Sequence, residues 1–236
     1  MPSARAPKKT VPSPAEAVRG DASEAAARVR SVSSMQGACQ ACRACPLYAH
    51  ATQAVVGEGP RRAALMLVGE QPGDEEDRNG RPFVGPAGRL LDTLLAEAGI
   101  DRQETFVTNA VKHFKFVERG KRRLHEKPRT SEVKACAPWL GREIALVQPQ
   151  VVVALGATAA QSLLGPAFRL TAQRGQLVET TVGARKLEVL ATYHPAALLR
   201  APTPEQRREQ RAFVLRDLAA AARGAGARNA GGSRGH

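Results

Sequence analysis

The sequence predicts an α/β protein, a three-layer αβα sandwich around a central, mainly parallel sheet of four strands. Two observations carry the prediction. Short apolar runs alternate along the chain with longer segments of helical periodicity. The runs are apolar at nearly every residue, as in strands covered on both faces by helices. The stretch between the two polar ends is also long enough to bury one core.

Each element follows in order. Residues 1–37, rich in Ala, Pro, Ser and Arg without apolar periodicity, are expected to be a flexible basic tail. Ala63–Gly69 (AALMLVG) reads as the first strand, ending in a Gly/Pro turn. Pro86–Ala98 carries Leu90, Leu91, Leu94 and Leu95 at helical spacing, and Gly99 stops it. Thr105–Asn109 is a second, short strand. Ser131–Val147 reads as a helix from a Ser/Thr cap to Pro149, with Pro138 as a kink. Val151–Leu155 (VVVAL) is a buried strand, Gly156–Leu164 a helix, Leu187–Thr192 the fourth strand and Thr203–Arg223 a closing helix. The Gly/Arg-rich residues 223–236 form a second flexible tail, so the domain spans 38–222. In such folds ligands bind beyond the carboxyl ends of the strands. Three polar loops fall there: GEQPGDEED (69–77), the segment from Asn109 to His125, and Tyr193-His194-Pro195.

The charge is unevenly distributed. The chain is +13 at neutral pH, and residues 112–129 alone hold eight Lys/Arg, two Glu and two His. A focused basic patch points to phosphates, and so to nucleic acid. Cations alone do not require His125, an imidazole able to act as nucleophile, acid or base near neutral pH. No apolar run approaches the roughly 20 residues of a membrane span, and the basic N-terminus lacks the apolar stretch of a secretory signal. A cytoplasmic, monomeric protein is expected.

Four cysteines stand at 39, 42, 45 and 136. The CxxCxxC spacing with a remote fourth thiol suits a zinc or iron–sulfur site. Spacing alone does not separate the two, and a redox CxxC pair or inert buried thiols are the other readings.

The segments GEQPGDEEDRNGRPFVGPAGRLLD (69–92), TNAVKHFKF (108–116), KRRLH (121–125), LGATAA (155–160) and His194-Pro195 together resemble the uracil-DNA glycosylase superfamily. The likeness is greatest to the UdgX branch, related to the iron–sulfur type-4 enzymes, and covers about residues 38–220. GEQPG stands where type-4 enzymes read GEAPG, and KRRLH matches an inserted KRRIH-like loop of that branch, with Leu124 in place of Ile. The resemblance implies excision of uracil from DNA, single-stranded DNA being preferred. It further implies covalent capture of the sugar C1′ by the loop histidine.

What it implies residue by residue is as follows. His125 is the nucleophile. Glu70 and Gln71 lie beneath the sugar, Glu70 orienting His125 or offsetting positive charge on the ring. Asp74 and Phe83 shape the base pocket, Phe83 as a stacking platform. Asn109 reads the uracil edge, and His194 donates to uracil O2 as the base departs. Lys121 and Arg123 hold the loop and nearby phosphates. The type-4 segment KCRPP reads KHFKF here, which puts His113 in place of a ligand cysteine. The implied 4Fe-4S ligands are Cys42, Cys45, His113 and Cys136, with Cys39 the competitor for His113. An ordinary turnover glycosylase and a noncatalytic metal-containing DNA-binding module are the alternatives.

Overall fold

The computed structural model describes residues 22–231. In chain order the elements are α1 (Ala22–Arg28), α2 (Val32–Gln40), β1 (Leu65–Gly69), α3 (Asp74–Asn79) and α4 (Pro86–Glu97), then β2 (Thr105–Asn109), β3 (Phe116–Arg119), β4 (Arg122–His125) and α5 (Thr130–Val147). There follow β5 (Val151–Leu155), α6 (Ala157–Leu164), α7 (Leu170–Gln173), β6 (Leu177–Val182), β7 (Arg185–Thr192), α8 (Pro195–Leu199) and α9 (Pro204–Gly231).

The sheet runs β2-β1-β5-β7-β6, parallel except at β6. Strand alternation splits the core into two layers. Met66 and Val68 of β1 face Leu140, Ile144 and Ala160 of α5 and α6. Leu65 and Leu67 face Leu91 and Leu94 of α4 and Val214 and Leu218 of α9. A third apolar cluster lies outside α5, where Ala26, Val29 and Met35 pack on Trp139 and Cys136.

The αβα class is as expected, and the sheet gains a fifth strand. β6 (LVETTV) carries Glu179, Thr180 and Thr181 in its middle and pairs antiparallel along one edge, mostly exposed, so it lacks the continuous apolar signature of the inner strands. The flexible tail expected over 1–37 gives way to helices within its described part. Residues 22–28 and 32–40 are helical and bury Ala22, Ala26 and Met35. Residues 1–21 lie outside the described residues. At the other end α9 extends to Gly231, past the tail boundary expected at residue 223, and 232–236 lie outside the described residues. No Ser/Thr caps α5: the cap is Arg129, whose backbone N–H donates to the Glu132 carboxylate at 2.6 Å, and the helix runs on through Pro138. Among the described residues no helix is long and apolar enough to cross a membrane.

The basic segment is the largest departure. Residues 116–125 form an antiparallel hairpin, not a loop, with Gly120-Lys121 as its two-residue turn. φ is positive at Gly120 but not at Lys121, the pattern of a type II′ hairpin turn.

Candidate active site and thiol pocket

The carboxyl ends of β1, β2, β5 and β7 open into a cleft of about 600 Å³. Its floor is set by strand register. Gly69 is the Cα partner of Asn109, and a Cβ at residue 69 would stand 2.3 Å from Asn109 Oδ1 and 2.8 Å from Phe83 Cζ. Only glycine there admits both side chains. Phe83 adopts φ +57, uncommon for an aromatic residue, against the start of α4, where a Cβ on Gly88 would meet the Phe83 carbonyl. Its ring stacks on His194 with centroids 6.2 Å apart.

His194 caps α8. The backbone N–H of Ala196 donates to Nδ1 at 3.1 Å, which leaves the proton of a neutral ring on Nε2. Burial pushes this imidazole down to about 4 against the pull of the Glu70 carboxylate, so at neutral pH it is an uncharged donor lining the cleft.

Glu70 follows β1 directly. One carboxylate oxygen accepts from the Thr158 hydroxyl, and the other lies 3.3 Å from His125 Nε2. Burial alone would raise the Glu70 pKa; the bonds from His125 and Thr158 outweigh it and hold the carboxyl below its usual value. Glu70 is therefore an ionised group under a half-exposed imidazole.

The hairpin carrying His125 is tied to the body by side chains. The Gln71 amide donates to the carbonyls of Lys115 and Glu126, both at 3.1 Å, and accepts from the Lys115 N–H at 3.1 Å. It thus bridges the two arms at the hairpin's base. From β4, the Arg123 guanidinium bonds Asp74 and reaches Asp77 at 2.7 Å and Thr52 Oγ1 at 3.2 Å. Burial opposes its charge, but the Asp77 and Asp74 carboxylates outweigh that and raise its pKa. The same guanidinium lies 4.9 Å over the Phe116 ring.

Behind the hairpin, Cys39, Cys42, Cys45, Cys136 and His113 line one small cavity with Trp139 and Lys112. Two N–H groups point at sulfur: the Trp139 indole to Cys42 at 3.4 Å and the Lys112 amide to Cys136 at 3.3 Å. Burial pushes the Cys45 thiol up to about 11 and Cys136 up to about 12, and His113 down to about 4, leaving that imidazole neutral, the form in which it ligates. Among the described residues no three His, Cys, Asp or Glu side chains stand close enough to hold a metal ion. The donor types and their convergence on one cavity nevertheless fit an iron–sulfur group.

The model of the uracil DNA glycosylase superfamily matches residues 56–219. The chain belongs to that superfamily. It is 40% identical over 178 residues to the type-4 uracil-DNA glycosylase of Thermotoga maritima, covering 75% of this chain and 85% of that one. It is 38% identical to the type-4 uracil-DNA glycosylase of Pyrobaculum aerophilum, covering 68% and 81%. With the enzyme of the same name from Sulfurisphaera tokodaii the identity is 37%, over 75% and 80%.

For this glycosylase-superfamily chain the sequence placed several residues in the cleft. Glu70, Gln71, Asp74, Phe83, Asn109, His125 and His194 all line it. Lys121 and Arg123 do not. Lys121 sits exposed at the hairpin turn, and Arg123 pairs with Asp74 and Asp77, which ties the hairpin to the body. Asp74 lies at the rim, its carboxylate taken by Arg123 and Arg78. The basic patch is also smaller than its sequence. Lys112 is fully buried on Glu143 at 2.6 Å, and Lys115 is buried against Glu132 at 3.1 Å. That leaves Arg119, Lys121, Arg122, Lys127 and Arg129 exposed. Sequence reasoning missed Thr158 and Lys112. Thr158 sits inside the LGATAA segment, but nothing in one sequence ties its hydroxyl to Glu70.

Proposed function

We propose that this chain excises uracil from DNA and is then trapped by a covalent bond from His125 to C1′ of the resulting abasic sugar, as in the UdgX branch it resembles. The observation that carries the reading is the contact of His125 Nε2 with Glu70 Oε1 at 3.3 Å, made at the cleft by a hairpin clamped to its rim. The type-4 names of its relatives support the excision step.

The steps follow from the residues. A flipped uracil stacks on Phe83, and the Asn109 amide pairs with its edge. The C1′–N1 bond breaks and its electron pair leaves with the base, whose O2 accepts from the neutral His194 Nε2–H. The ionised Glu70 offsets positive charge on the sugar. A lone pair of the His125 imidazole then bonds C1′, ahead of water because the ring is already in place. The resulting imidazolium gives up its remaining N–H proton to solvent. The substrate is uracil-containing DNA, single-stranded by preference, met by a monomer in the cytoplasm.

Cys42, Cys45, His113 and Cys136 are the proposed ligands of a 4Fe-4S cluster. When bound, the cluster cross-links the N-terminal segment, the strand-end loop of β2 and helix α5. The bonding step runs through none of these residues. Iron and sulfide content with the visible spectrum tests the set: His113→Ala should lose cluster and Cys39→Ala keep it, and the reverse pattern puts Cys39 in the set.

The deciding experiment for function is a denaturing gel after mixing the protein with a labelled single-stranded oligonucleotide holding one uracil. A heat-stable slow band is expected, absent with thymine. For His125→Gly the band should vanish and alkali-labile abasic DNA should appear. A covalent yield unchanged in that variant removes His125 as nucleophile, and intact DNA throughout removes the enzyme.

A further inference from the structure

The hairpin has a second face that neither the cleft nor the body uses. In its register Phe116 pairs His125, Val117 pairs Leu124, Glu118 pairs Arg123 and Arg119 pairs Arg122. Alternation puts Phe116, Arg123 and His125 on the inner face, where Arg123 and His125 meet Asp77 and Glu70. The outer face shows the opposite character. Val117 is 44% exposed and Leu124 38%, cross-strand neighbours open to solvent. Beyond them Arg119 stands directly opposite Arg122, both exposed, and among the described residues neither has an ion-pair partner. Like charges opposite one another on a two-stranded ribbon destabilise it, and the apolar pair beside them is left open to solvent.

We propose that this outer face is a binding platform for the single-stranded DNA flanking the flipped nucleotide. Val117 and Leu124 form an apolar seat for an unstacked neighbouring base, and Arg119 and Arg122 grip the phosphates on either side of it. DNA is the occupant because two unneutralised guanidiniums border the apolar seat, and because β4 carries His125 at its other end, so a strand entering the cleft runs beside this face. The platform supplies single-strand preference: a duplex keeps its bases stacked and offers none to Val117 and Leu124. The inference rests on the uracil-DNA reading above.

The test uses the full chain and an oligonucleotide with one 2′-fluoro-arabinouridine, whose glycosidic bond resists cleavage, so that binding is measured without capture. For Arg119→Gln/Arg122→Gln, the slope of log affinity against log salt should fall by about 1.4, two cations at roughly 0.7 each on single strands. The melting temperature should equal or exceed that of the unchanged protein, since a repulsive pair has gone; a structural role for the pair would lower it. Val117→Ser/Leu124→Ser should weaken single-strand binding about tenfold and duplex binding less. Arg61→Gln/Arg62→Gln, exposed just before β1 at the far end of the sheet, is the control and should leave both quantities unchanged. An unchanged slope, or equal losses on single strand and duplex, overturns the platform while excision by the unchanged protein keeps the proposed function. An unchanged protein that neither binds the analogue nor excises uracil overturns both.

Discussion

Asn109, Glu70 and His194 are carried by the ends of β2, β1 and β7, while His125 is carried by a hairpin outside the sheet that reaches the body through side-chain bonds. The first group inherits its position from backbone register and two core layers. The second depends on Gln71 at the hairpin's base and Arg123 midway along it. Residues fixed by a sheet move only when the fold moves. Residues fixed by a clamp can be released one bond at a time. On the proposed function, excision would rest on the floor and capture on the hairpin, so the two should be separable by mutation.

The strongest way to break the comparison is through the floor. Lys112 Nζ donates to Glu143 at 2.6 Å, to Thr108 Oγ1 at 2.7 Å and to the Asn109 carbonyl at 2.6 Å, with both charged side chains fully buried. Lys112→Met leaves Glu143 as a lone buried charge and should cost about 3–5 kcal/mol, a fall of about 10 °C in melting temperature. Excision and capture should then fall together. Lys112→Met/Glu143→Leu should recover most of the stability; a single variant that melts like the unchanged protein would show that the floor does not rest on this pair. The hairpin counterpart is Arg123→Ala, which strips the buried Asp77 of its guanidinium. A nucleophile displaced by about 1 Å loses on the order of 100-fold, so adduct formation in single turnover should drop by that factor while uracil release changes far less. Equal losses in the two assays would mean that the hairpin also serves excision.

How much of this was legible follows from where each residue's partners come from. β5 was readable to the residue because a strand buried on both faces must be apolar throughout. β6 was not, since an edge strand needs no such run. The hairpin hid behind its own charges, although Gly120-Lys121 between two four-residue arms was a turn signal open to use. Helices α1 and α2 bury only Ala22, Ala26, Met35 and Cys39, a face too thin for periodicity to reveal. In the site, GEQPG and His194-Pro195 announced themselves through local sequence. The true duties of Lys112, Lys115 and Arg123 did not. Each is neutralised by carboxylates distant in the chain, and charge counted along a sequence cannot tell a paired cation from a free one.

Smaller effects sharpen the same division. Gln71→Ala removes the bridge between Lys115 and Glu126 but keeps Asn109, Glu70 and His194. With each hydrogen bond worth about 1 kcal/mol net, the aligned hairpin should be populated less. Capture should slow about tenfold, and abasic DNA released free should rise at its expense. A capture rate equal to that of the unchanged protein would place the clamp entirely in Arg123.

The last prediction sits where the two regions meet, at Glu70, which belongs to the floor and touches His125. Its pKa lies below 4.5 because hydrogen bonds to the ionised carboxylate, Thr158 among the donors, outweigh burial. Removing that hydroxyl with Thr158→Val withdraws a bond made to the charged form, so the pKa rises and at a given acidic pH fewer molecules hold Glu70 ionised. The acid limb of the single-turnover excision profile should therefore move to higher pH, with little change in rate near neutrality. Thr158→Ser should move it back. A uniform loss at every pH, unrepaired by serine, would instead assign Thr158 to packing at the start of α6. A shift seen in capture but not in excision would assign Glu70 to the hairpin's chemistry alone, and the boundary between the two regions would then run beneath it.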